Sequence, residues 1–108
     1  MIKIDLYKNA RGQIGSYRVC GHAGDGPAGQ SIVCAWVSAV TQMTLIGLEE
    51  ELHCPLRYQT EEDEGLLEVS LKGEPDEKTQ VLTGSMEMVL QQLQEQYPEY
   101  VQLNEHRR

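Results

Sequence analysis

The chain has 108 residues, 40% of them apolar, and 17 acidic against 9 basic side chains give it a formal charge of −8. That length fits one domain over residues 1–108 with no room for a second core. The acidic balance repels phosphate backbones, which argues against direct nucleic-acid binding and favours basic partners, although many acidic domains owe their charge to solubility alone.

Nothing in the pattern suggests a membrane span or an export signal. No uninterrupted apolar run reaches the ~18 residues a spanning helix needs. The first residues, Met1-Ile2-Lys3-Ile4-Asp5-Leu6-Tyr7, alternate apolar and polar where a signal peptide would be continuously apolar. Three cysteines with no Cys-x-x-Cys pair signal neither a disulfide framework nor a zinc site. Reduced thiols in a cytoplasm, with no metal and no cofactor, are the expectation.

The alternation of Ile2, Ile4 and Leu6 with polar neighbours predicts a half-buried first strand, and after the turn Asn9-Ala10-Arg11-Gly12 a second strand runs from Gln13 to Cys20 with Tyr17 and Val19 inward. Gly21, Gly24, Gly26, Pro27 and Gly29 then predict a mobile loop over 21–30. Ser31 reads as the N-cap of a largely buried helix from Ile32 to about Leu52, stopped by Pro55. Two further strands, Leu56–Thr60 and Leu66–Lys72, flank the acidic turn Glu61-Glu62-Asp63-Glu64-Gly65, with Leu67, Val69 and Leu71 inward. Pro75-Asp76 opens a last helix whose apolar stripe is Leu82, Met86, Val89, Leu93 and Tyr97, and Pro98 ends it. Tyr100 to Leu103 fits a short edge strand, and 104–108 reads as a polar, fraying tail. The order is ββαββα, an α+β domain with two helices on an antiparallel sheet.

The chemistry lies between Gly21 and Ala39. Capped by Ser31, the helix would hold Cys34 in its first turn, where unpaired amides and the dipole favour a thiolate. His22 lies at the end of the second strand, and the glycine loop is long enough to fold its imidazole back to the thiol as general base. Loop amides at Gly21, Gly24 and Gly29 would be candidates for an oxyanion hole. On spacing alone, an apolar-flanked cysteine in a helix is more often a packing residue, so position leaves both readings open.

The wording Gly21-His22-Ala23-Gly24, Gly29-Gln30-Ser31-Ile32-Val33-Cys34-Ala35 and Val37-Ser38-Ala39 resembles the ribosomal-processing cysteine protease family, Prp. The resemblance extends along the whole chain, with the central motif its specific part. It implies a homodimer that removes a short N-terminal extension, containing aromatic residues, from a large-subunit ribosomal protein during ribosome assembly. It maps the catalytic roles to His22 and Cys34. A basic ribosomal protein as substrate gives the acidic balance a reading as attraction to it. The family commonly carries Asp where this chain has Ser31, so the third catalytic member is open between Ser31, Asp25 and none. Trp36 stands where small residues are usual, and its indole must find room in the core or at the dimer contact.

Ser38, one turn after Cys34, is a further auxiliary candidate. Cys20 and Cys54 read as packing residues, and His53 and His106 as surface residues. The alternative function is a non-catalytic, ribosome-associated binding module. A thiol redox protein is disfavoured because no resolving cysteine lies close in sequence to Cys34.

Overall fold

The computed structural model describes residues 1–22 and 27–108, with 27–31 by their backbone alone. Its elements are β1 (Ile2–Lys8), β2 (Ile14–Cys20), α1 (Pro27–Ile46) running into a π-helical segment (Gly47–Glu51), β3 (Leu56–Glu61), β4 (Leu66–Leu71), α2 (Glu77–Gln96) and β5 (Val101–Arg107). The strands form one sheet in the order β3-β4-β2-β1-β5. The first four pair antiparallel, as expected, and β5 adds to β1 in parallel, so the sheet is mixed.

Register explains the two layers. Leu6 lies opposite Tyr17 and Tyr17 opposite Val69, while Ile4 lies opposite Val19 and Val19 opposite Leu67. These side chains are all buried. Period-2 alternation therefore gathers one apolar face for the helices, and Lys3 and Glu68 remain exposed between the buried positions.

On α1, Val33, Val37, Thr41, Thr44 and Leu48 are buried. The two threonines satisfy their hydroxyls within the helix, Thr41 to the Val37 carbonyl at 2.8 Å and Thr44 to the Val40 carbonyl at 2.9 Å. The buried Tyr17 hydroxyl donates to the Thr41 carbonyl at 2.9 Å, which ties sheet to helix. A side chain at Gly47 would put its Cβ 2.8 Å from Leu82 Cδ1, so the missing side chain leaves room for Leu82 where the π segment meets α2. By length and hydropathy Ile32–Glu51 passes as a spanning helix, contrary to the reading by apolar runs; one face of it carries the core.

Three expectations need correction. The helix begins at Pro27, not after Ser31, so the last part of the expected 21–30 loop is helical. Proline at a first helical position has its φ preset and lacks only an N–H that the helix would leave unpaired, and this outweighs the glycines. In α2 the buried residues are Thr79, Thr83, Met86, Leu90 and Leu93; Met86 and Leu93 match the expected stripe, while Leu82, Val89 and Tyr97 pack at its border. Thr83 escapes hydropathy-based reading because its hydroxyl is satisfied by the Thr79 carbonyl at 3.0 Å.

Nor does the expected polar tail over 104–108 fray: up to Arg107 it belongs to strand β5, paired with β1 from Ile2↔Val101 to Lys8↔Arg107. Polar contacts hold it. His106 bonds Asp5 at 2.8 Å and stacks on Tyr7 with centroids 4.8 Å apart, and Arg108 sits over the same Tyr7 ring at 4.2 Å. Lys8 reaches Glu105 at 2.7 Å and Glu87 of α2 at 2.9 Å, joining two strands and a helix.

Candidate active site

His22 follows the last residue of β2, and two glycines fix how it leaves the sheet. Gly21 has φ +100°, and a Cβ there would lie 2.4 Å from the Met1 carbonyl oxygen. Gly65, closing the β3–β4 turn at φ +62°, would place a Cβ 2.5 Å from the Gly21 carbonyl oxygen and 3.3 Å from His22 Cε1. Only glycine permits both conformations and both approaches. The Gly21 N–H donates to the Glu64 carbonyl at 2.9 Å, so it is engaged by the turn rather than aimed at a substrate. The His22 ring is exposed, with Nε2 3.2 Å from the Asp63 carbonyl oxygen, and the N-terminal ammonium donates to the His22 carbonyl.

Cys34 comes from α1. It lies seven residues after Pro27, two turns into the helix and beyond the expected first turn. The unpaired amides and the concentrated dipole of a helix start are therefore not at the thiol, because both fade within the first turn. Ser31, within α1, is not its N-cap. Gly29 is likewise helical. Gly24 and Asp25 lie outside the described residues.

Cys34 and His22 nonetheless line one groove, about 560 Å³ in volume, between α1 and the β2 and β4 side of the sheet. Ser38, Thr41, Gln42 and Leu45 continue its α1 wall, Ile2, Val19 and Leu67 give it an apolar floor, and Glu61 and Glu62 stand at the β3 end. A thiol, an imidazole, an apolar floor and an acidic rim suit an extended peptide handled by nucleophilic chemistry. Asp63, Glu61, Glu62 and Thr41 were not singled out from the sequence. The acidic turn was readable there as a turn, and the signal for its closeness to His22 was Gly65.

The other cysteines have different surroundings. Burial, and then the charge of Asp76, pushes the Cys54 thiol up and disfavours its thiolate. Cys20 Sγ lies 3.8 Å from the Glu64 carbonyl oxygen, within the framework that holds the turn. His53 and His106 are exposed, as expected. Among the described residues no three His, Cys, Asp or Glu side chains gather as metal ligands.

The family model described as Cysteine protease Prp matches residues 1–102. The chain belongs to this family. A Prp relative, the ribosomal processing cysteine protease Prp of Staphylococcus aureus, is 30% identical over 107 residues, which cover 96% of this chain and 98% of the relative. A crystal structure of a Streptococcus mutans protein superposes with a TM-score of 0.89 at 30% identity, covering 100% of this chain and 96% of that one. The essential ribosomal processing protease Prp of S. aureus, in complex with a covalently linked product peptide, gives 0.88 at 26% identity, with 97% and 99% coverage. The same S. aureus protease with a substrate peptide gives 0.87 at 25% identity, again with 97% and 99% coverage. This Prp chain is thus a cysteine protease on a mixed α+β fold.

Proposed function

We propose that the chain is a cytoplasmic endopeptidase that removes a short N-terminal extension from a basic, large-subunit ribosomal protein, with Cys34 as nucleophile and His22 as its base. The observation that carries this reading is that the two side chains line one groove although they lie twelve positions apart, His22 after β2 and Cys34 in α1. It is supported by the S. aureus relatives, named as ribosomal processing proteases and crystallised with substrate and product peptides.

In the reaction His22 takes the proton of the Cys34 thiol, and the sulfur attacks the scissile carbonyl carbon. The tetrahedral intermediate collapses as the imidazolium protonates the departing amine. Water, deprotonated by the same histidine, then hydrolyses the thioester. With the thiol beyond the helix start, His22 supplies the activation that the dipole does not. The formal charge of −8 steers a basic substrate toward the protein without inviting ribosomal RNA.

A homodimer is part of this reading. Ile32 (59% exposed), Trp36 (44%), Met43 (62%) and Ile46 (58%) recur along one outer stripe of α1, an apolar surface suited to a second copy. Trp36 is therefore not in the core of a single chain, which leaves the dimer contact as its expected place.

The test is cleavage of the extended ribosomal protein by purified variants. Cys34→Ala and His22→Ala are each expected to abolish processing with the fold kept, and Cys34→Ala to retain substrate binding. Full-rate cleavage by Cys34→Ala would sink the mechanism. An absence of time-dependent Cys34 labelling would favour the non-catalytic binding module.

A further inference from the structure

We propose that the main-chain carbonyl of Asp63 positions the His22 imidazole for catalysis, in the place that a carboxylate or amide side chain takes in hydrolytic triads. The inference rests on the reading of Cys34 and His22 as nucleophile and base. An exposed imidazole on a short side chain samples several rotamers, and a base that wanders by an ångström loses much of its rate advantage. Here Nε2 lies 3.2 Å from the Asp63 carbonyl oxygen, and among the described residues no side chain is bonded to the ring.

A carbonyl oxygen can only accept. The neutral ring in this bond therefore carries its proton on Nε2 and presents its lone pair at Nδ1. When the thiol reacts, the S–H bond breaks, an Nδ1–H bond forms and the electron pair stays on sulfur. The ring is now an imidazolium, and its Nε2–H bond to the carbonyl becomes charge-assisted and shorter. The contact is thus stronger after proton transfer than before it, the condition for an interaction to raise kcat rather than only to bind.

The surrounding framework keeps this carbonyl in place. The Gly65 N–H donates to the Glu62 carbonyl at 3.1 Å and the Gly21 N–H to the Glu64 carbonyl at 2.9 Å, so the turn is bonded to itself and to the residue before His22. The paired β3 and β4 strands carry it, from Leu56↔Leu71 to Glu61↔Leu66.

Two measurements decide. In uniformly ¹⁵N-histidine-labelled protein, long-range ¹H–¹⁵N correlations of the neutral His22 ring should show the Nε2–H tautomer; an Nδ1–H tautomer overturns the proposal. Second, the 63–64 amide is replaced by an ester, which weakens the Asp63 carbonyl as an acceptor, in protein assembled by ligation at Cys54. The expected result is a roughly tenfold fall in kcat with KM little changed; an unchanged kcat overturns the proposal. Should the ester variant not fold, the tautomer of the unaltered chain decides alone. Cleavage surviving in His22→Ala would instead refute the underlying assignment, whereas an inactive His22→Ala with the wrong tautomer refutes only the role of Asp63.

Discussion

At Gly65 one missing Cβ serves both backbone and chemistry. Gly65→Ala meets a φ of +62°, a Gly21 oxygen at 2.5 Å and His22 Cε1 at 3.3 Å. The left-handed backbone alone costs about 1 kcal/mol, and relief of the clash must move either the turn or the imidazole. The variant is expected to stay folded with a lower urea midpoint and to cleave at least tenfold more slowly; near-normal cleavage beside a clear loss of stability would separate the turn from catalysis. Cys54 behaves oppositely to a nucleophile: with its thiol pushed up by burial and by Asp76, less of it is thiolate at pH 8. Iodoacetamide followed by peptide mass spectrometry should label Cys54 more slowly than a solvent-exposed cysteine in an unstructured peptide. That His22 and Cys34 share one groove was legible because the glycine-rich wording around them is specific. The Asp63 carbonyl was not, since a main-chain acceptor is the same atom at every residue and only folding selects which one meets the ring.

Among the elements, the two helices show opposite outcomes for their start signals. Asp76 caps α2 through a reciprocal box, its carboxylate accepting the Thr79 amide at 2.9 Å while the Thr79 hydroxyl accepts the Asp76 amide at 2.9 Å. Pro75-Asp76 marks this start in the sequence itself. Asp76→Ala should cost about 1 kcal/mol, seen as a shifted denaturant midpoint with unchanged slope. In α1 two signals competed, Ser31 as cap and Pro27 as first residue, and the glycines on either side of Pro27 favoured the wrong one. Strand β5 was only partly legible for a related reason: its outward residues are polar, and its order comes from partners on β1 about a hundred positions earlier, which no local pattern reveals. Strands β1, β2 and β4 were legible because one face of each is buried and alternation records that directly.

For the whole molecule, Lys8 is a junction, buried between Glu105 of β5 and Glu87 of α2. Burial by itself works against the ammonium, but the hydrogen bonds and charges of the two carboxylates outweigh it and raise the lysine above its ordinary 10.5. The same bond lowers Glu105. The raised lysine contributes stability that is complete below its unfolded value and lost as pH climbs through the folded one. The lowered glutamate contributes stability that is complete above the ordinary carboxylate range and lost as pH falls through its depressed value. Urea midpoints should therefore sag at both ends of a pH series, and Lys8→Met should lower the whole curve while flattening both ends; parallel curves would refute the linkage. The apolar stripe of α1 gives a second test at this scale: if the proposed dimer forms there, the parent should sediment as a dimer and Trp36→Glu as a monomer, and a monomeric parent would remove the dimer from the reading. Finally, β5 joins β1 through partners as far apart in sequence as Ile2 and Val101. A ribosome making this chain releases β1 long before β5, and until then one side of β1 is an open edge that alternates Ile2, Ile4 and Leu6. Such an edge invites pairing with another nascent copy. Completion of the last strand is thus also a protective step, and chains that stop at residue 100 should accumulate as β-rich aggregates where the full chain stays dispersed.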